Sequence, residues 1–144
     1  MIFFAIYISV LMYVLLFSEG YRRGSGENGI YLYNFNLFTE IKRFWNYRKQ
    51  LGMRAFVLNV LGNVVGFFPY GFIFPILSSK IRNFCLIVLS GFAVSLIVES
   101  IQFWTKVGSF DVDDLFLNTL GVMLGYISFG ICNWIRRMRY GKKV

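Results

Sequence analysis

The sequence predicts an all-α polytopic membrane protein: a four-helix transmembrane bundle with an interfacial amphipathic helix in its first loop. Three observations predict it. Of the 144 residues, 57% are hydrophobic and 20% aromatic, while only 15% are charged. A soluble domain has about a quarter of its residues charged, so this apolar excess needs lipid to face. The apolar residues are also gathered into four runs separated by polar stretches. Backbone groups in hydrocarbon must bond within their own segment, which makes each run a helix.

The first run covers residues 1–18 and ends at Ser18-Glu19-Gly20. It has neither a basic leader nor a small-x-small cleavage site, so it reads as a retained helix and not as a signal peptide. The second covers 55–74 and contains Asn59, Asn63 and Pro69; the proline removes an amide and is expected to kink the helix. The third covers 84–99, with Lys80 and Arg82 before it and Glu99 at its end, and the fourth covers 115–134. All belong to a single membrane domain, residues 1–144. In the first loop, Gly24-Ser25-Gly26-Glu27-Asn28-Gly29 is flexible by composition. Residues 37–51 space Phe38, Ile41, Phe44 and Trp45 by three and four among Lys42, Arg43, Arg48 and Lys49. That is the pattern of a helix lying in the membrane interface; a solvated basic loop is the alternative.

The formal charge is +8. The basic residues hug the apolar runs, so they point to topology and to anionic headgroups, with membrane lipids as partners and no nucleic acid. If both termini share a side, that side has seven Lys and Arg and the other has eight, a bias too even to orient the chain. The tail Arg136-Arg137-Met138-Arg139 argues for cytoplasmic termini; Arg22-Arg23 argues the reverse. The absence of histidine excludes His-based triads and His metal sites. Cys85 and Cys132 lie inside apolar runs, with no zinc or disulfide spacing, and are expected to be small core residues.

The polar residues converge on one membrane face. Asn59 and Asn63 open the second helix, Glu99 and Gln102 end the third, and Asp111, Asp113, Asp114 and Asn118 open the fourth. Asn59 and Asn63, like Ser95 and Glu99, are four apart; Glu99 and Gln102 are three apart; Asp111, Asp114 and Asn118 step by three and four. Each set therefore lines one side of its helix, with Asp113 off the stripe. Charges near lipid are costly and usually face a cavity or a partner, so three polar stripes predict a hydrophilic crevice. Simpler roles compete. One aspartate can cap the fourth helix, the asparagines can join helices by hydrogen bonds, and Glu99 can pair with Lys106 or a first-loop cation.

The second and fourth helices share the pattern N-x-x-G-x-x-x-G, as Asn59…Gly62…Gly66 and Asn118…Gly121…Gly125. Both run the same way through the membrane, and glycine pairs permit close backbone approach. The expectation is a central crossing at these glycines within a parallel repeat of two hairpins.

At these residues the chain resembles the VanZ-like family of bacterial membrane proteins, from about Tyr33 to Tyr126. The resemblance rests on three motifs in order: Asn59…Gly62-Asn63…Phe67-Phe68-Pro69-Tyr70-Gly71…Pro75, then Glu99-x-x-Gln102, then Phe110-Asp111-Val112-Asp113-Asp114…Asn118-Thr119-Leu120-Gly121. The family's Asn-Leu-x-Pro-Phe appears here as Asn34-Phe35-Asn36-Leu37-Phe38, without the proline, and Gly108 stands where many members carry Arg. The resemblance implies a multi-pass protein of the bacterial cell membrane with a part in low-level resistance to glycopeptide and lipoglycopeptide antibiotics, notably teicoplanin.

Two functional readings compete. In the first, Asn59, Asn63, Glu99, Gln102, Asp111, Asp114 and Asn118 line a crevice that binds a lipid, a lipid-linked molecule or a lipoglycopeptide. Glycopeptides act outside the cell, which favours an outward crevice and cytoplasmic termini. In the second, Glu99, Asp111 and Asp114 are catalytic in an enzyme acting on a lipid headgroup. They would hold a divalent cation such as Mg²⁺ or Ca²⁺, or serve as general acid and base. No signature marks Ser95, Ser100, Thr105 or Ser109 as a nucleophile. A small accessory subunit is a third reading, but it leaves the carboxylates unexplained.

Overall fold

The computed structural model describes residues 2–22, 33–46, 53–78, 81–106 and 109–141, without the side chains at 17–22, 40, 43–44, 54–56 and 58–59. The expected flexible loop at 24–29, residues 47–51 of the expected interfacial segment, and the side chains of Arg43, Phe44 and Asn59 lie outside this description. The described elements are five helices: α1 (Ile2–Arg22), α2 (Thr39–Asn46), α3 (Met53–Leu77), α4 (Phe84–Thr105) and α5 (Val112–Tyr140). The one β contact among the described residues is a parallel bridge between Asn34 and Asp111.

Three helices, α3, α4 and α5, are long and apolar enough to cross a membrane, and α1 has a shorter apolar stretch, Ile2–Leu16. Only 28–39% of each long window is buried inside the protein, so most of the apolar surface faces outward, as lipid requires. The chain is an all-helical membrane protein. Cys85 and Cys132 belong to that outward surface; both are exposed, not in the core as expected. Each is on an apolar helix, and hydropathy alone does not tell a lipid-facing position from a core one.

The helices extend beyond the apolar runs. α4 continues to Thr105, which puts Glu99 and Gln102 inside it. Asn83 caps its start, accepting from the Cys85 amide, and Lys106 ends it at φ 61°. α5 starts at Val112 and ends at Tyr140, capped by Asp111 and by Gly141 at φ 63°. α3 runs through both Pro69 and Pro75 to Leu77.

Among the described helices, α3 and α5 form the most extensive contact. A Cβ built on Gly121 would overlap the Val64 carbonyl, one on Gly125 the Phe68 carbonyl, and one on Gly71 the Val122 carbonyl. The two helices therefore run parallel with backbones touching, 64 beside 121 and 68 beside 125. The expected crossing is present on the α5 side but not on the α3 side. Among the described residues Gly62 has nothing within 4 Å of its Cβ position, and Gly66 meets a Leu11 methyl of α1. The packed register is displaced by two residues from the alignment of the two octamers, which puts Val64 and Phe68 against Gly121 and Gly125, and the α3 glycine at the crossing is Gly71. α4 joins at Gly91, which receives the Val122 side chain. Leu11, Phe67, Tyr70, Ile87 and Val122 form the core, with Phe4 and Tyr7 of α1 against it. The Tyr7 hydroxyl donates to the Gly66 carbonyl at 2.6 Å.

Candidate functional site

The contacts of α5 with α3 and α4, together with α1 against α4, place Asn63, Glu99, Gln102, Asp111, Asp114 and Asn118 at one end of the bundle. All six are buried, as are Ser95 and Asp113. Isolated buried carboxylates are costly unless hydrogen-bonded, and here backbone amides do much of that work. Asp111 caps α5, its Oδ1 accepting from the Asp113 amide at 2.9 Å. Glu99 Oε2 accepts from the Asp111 amide at 3.0 Å, tying α4 to the start of α5. Asp114 Oδ1 accepts from Asn63 Nδ2 at 2.5 Å, tying α5 to α3. Asn118 Nδ2 donates to Ser95 Oγ at 2.8 Å, and Gln102 Nε2 donates to the Leu15 carbonyl of α1 at 2.9 Å. One polar layer thus connects all four long helices. The aspartates also sit at the positive end of the α5 dipole.

Asp113, expected to be off the stripe and dispensable, is 1% exposed. Its Oδ1 accepts from the Phe38 amide and its Oδ2 from the Ile41 amide at 3.2 Å. It is the N-terminal cap of α2, supplied by another helix. Periodicity along α5 could not reveal this, because the amides that Asp113 accepts from lie in a segment more than seventy residues away in the chain. Asn34 was likewise missed as a site residue. Its amide donates to the Phe110 carbonyl at 2.9 Å and its carbonyl accepts from the Val112 amide at 3.2 Å. Its Nδ2 donates to Asp111 Oδ1 at 3.2 Å, and its Oδ1 accepts from the Asn36 amide at 3.1 Å. The signal was present in the segment Asn34 to Phe38, although that stretch lacks the family's proline. Phe38 adopts φ 67°, a conformation costing about 1–3 kcal/mol for a non-glycine residue. Asp113 and an edge-on contact with Phe116 hold it there.

Two aspartates therefore cap two different helices and the third holds Asn63, so structural roles reach all three, where one capping role was expected. Two buried atoms in this region have no hydrogen-bond partner among the described residues: Gln102 Oε1 and Asn118 Oδ1. Both are acceptors. Gln102 lies one turn along α4 from Glu99, and Asn118 one turn along α5 from Asp114. Such atoms cost about 1–3 kcal/mol each when left unmatched, and the groups that match them are hydrogen-bond donors.

Beside the Asn34–Asp111 bridge lies an open apolar pocket of about 280 Å³, lined by Tyr33, Phe35, Phe103 and Phe110. Among the described residues no three His, Cys, Asp or Glu side chains come together as a metal set, so the alternative reading of Glu99, Asp111 and Asp114 as divalent-cation ligands finds no such set to rest on. The Ser100 and Thr105 hydroxyls donate within their own helix, to the carbonyls of Leu96 and Ile101 at 2.7 Å each. Neither is arranged as a nucleophile beside a base.

No curated protein and no solved structure matches the chain. A family model described as VanZ/LLP1 matches residues 4–133, a stretch that takes in α1, the Asn34 bridge, the carboxylate layer and the α3–α5 crossing. The chain belongs to the VanZ/LLP1 family.

Proposed function

We propose that this protein is a multi-pass component of a bacterial cell membrane that contributes to resistance against glycopeptide and lipoglycopeptide antibiotics of the teicoplanin type. It does so by binding a lipid or lipid-linked ligand at the polar end of the bundle. In this reading α1 is a fourth span, α2 lies in the interface, and the termini are cytoplasmic, so the polar end faces outward. The observation that carries the proposal is the chemistry of the buried layer: four carboxylates and two unmatched acceptors, Gln102 Oε1 and Asn118 Oδ1. A ligand for such a layer brings donors, as an ammonium, an amino sugar or clustered hydroxyls do, and not a bare phosphate. The adjacent aromatic pocket of Tyr33, Phe35, Phe103 and Phe110 suits the apolar portion of the same amphiphile. Opening the layer requires the first-loop segment to move, and that segment is fastened through Asn34 and Asp113.

The test is expression in a susceptible Gram-positive host, with the teicoplanin inhibitory concentration and the amount of protein in the membrane measured together. Wild type should raise the inhibitory concentration; Asp114→Asn should accumulate normally and give no protection. Native mass spectrometry of the purified protein, with teicoplanin or with membrane lipid extract, separates the two sources of ligand. No protection by the wild-type protein and no ligand in either spectrum would refute the reading.

A further inference from the structure

The opposite end of the bundle has the reverse electrostatic character. From Arg54 to Val98, and again from Leu115 to the C-terminus, the chain has no acidic residue. The basic residues Lys80, Arg82, Arg136, Arg137, Arg139, Lys142 and Lys143 all fall at or beyond the α3–α4 turn and the end of α5. Arg82 is fixed to the end of α3, its Nε donating to the Pro75 carbonyl at 3.2 Å.

This charge sits beside a groove that the helix crossing creates. α3 and α5 touch backbone to backbone at Gly71, Gly121 and Gly125. In the next turns toward the basic end the small residues give way to Phe72 and Ile76 on α3 and Phe129, Cys132 and Asn133 on α5. There the helices part around an open pocket of about 240 Å³ whose last lining residue is Arg136. Its depth in the membrane follows from helix length. α5 has 29 residues, about 43 Å at ~1.5 Å per residue, against ~30 Å of hydrocarbon. With the carboxylate layer at one interface, ~20 residues from Leu115 reach the other near Trp134. Phe129 then lies in the acyl region and Arg136 at the headgroups.

We infer that this α3–α5 groove is a binding site for one anionic phospholipid, with an acyl chain against Phe72, Ile76, Phe129 and Cys132 and the phosphate at Arg136 and Asn133. Basic pockets between membrane helices are recurrent sites for anionic headgroups. Arg136 has no ion-pair partner among the described residues, and Ile76 and Cys132 are exposed. The site lies at the other end of the bundle from the polar layer and does not rest on the function proposed for it.

The experiment is native mass spectrometry of delipidated full-length protein titrated with phosphatidylglycerol or with phosphatidylcholine of the same chains. The site predicts one tightly held phosphatidylglycerol and preference over phosphatidylcholine. Arg136→Gln should weaken phosphatidylglycerol retention roughly fivefold, the factor expected for one basic residue at a membrane surface. Arg139→Gln, equally basic but outside the groove, should have a smaller effect. Ile76→Trp should fill the groove and reduce retention of both lipids. All three positions have exposed side chains, and unchanged melting of each variant checks that folding is intact. Equal retention of the two lipids, equal effects of Arg136→Gln and Arg139→Gln, or a second copy of the chain occupying the face would overturn the inference.

Discussion

Replacing Gly125 by alanine adds one methyl group where α5 rests on the Phe68 carbonyl and the Gly71 backbone of α3. To restore an ordinary carbon–oxygen separation the helices must part by roughly 1 Å, a gap that forfeits a quarter to a half of each dispersion contact it opens. Overpacking of this kind costs about 1–3 kcal/mol. Alanine recovers roughly 0.5–1 kcal/mol through its better helix propensity, leaving a net loss of up to about 2.5 kcal/mol. Gly62→Ala gains the same propensity and meets nothing within 4 Å among the described residues, so it should be neutral or stabilising. The assay is thermal or denaturant unfolding in a mild detergent, comparing Gly62→Ala, Gly125→Ala and wild type. If Gly62→Ala destabilises as much as Gly125→Ala, the octamer repeat and not the observed register sets the crossing, and the packing described here is wrong.

Asp113→Asn can accept from only one of the Phe38 and Ile41 amides and turns an NH₂ toward the other, so it should cost about 1–3 kcal/mol locally. Hydrogen exchange of residues 38–46 should then quicken while that of the α3–α5 crossing is unchanged; unaltered exchange in α2 would remove Asp113 as its anchor. For orientation, cysteines replacing Ser25 or Tyr140, in a background with Cys85→Ser and Cys132→Ser, should differ in labelling by an impermeant reagent on intact cells. Labelling at position 25 alone fits an outward polar end, and labelling at 140 alone puts that end in the cytoplasm.

The membrane class and the helical architecture were legible because hydrocarbon leaves the backbone few options, and composition carries that signal directly. The convergence of Asn63, Glu99, Gln102, Asp111, Asp114 and Asn118 was legible from spacing plus the direction of each helix. What spacing does not encode is contact between elements distant in sequence. Asp113 faces α2 across more than seventy residues, and Asn34 reaches Asp111 through a backbone bridge; neither follows from the period of its own segment. The glycine register failed for a related reason. A repeat within each helix identifies small faces, but the offset at which two faces meet depends on bulky neighbours such as Phe67 and Val122, both fully buried. The exposed cysteines show the limit of hydropathy in lipid, where core and surface are equally apolar.

The decisive measurement is the teicoplanin inhibitory concentration of cells expressing Gln102→Leu, read beside the protein's membrane level and melting temperature. Leucine removes an acceptor without a partner, a gain of about 1–3 kcal/mol, and one bond to the Leu15 carbonyl, a loss of about 0.5–1.5 kcal/mol. Stability should therefore be held or raised. If the buried acceptors serve a ligand, the variant accumulates fully, melts at or above the wild-type temperature, and protects no better than an empty vector. Full protection by Gln102→Leu would contradict a ligand-binding role for these acceptors and leave the layer as a device for joining helices.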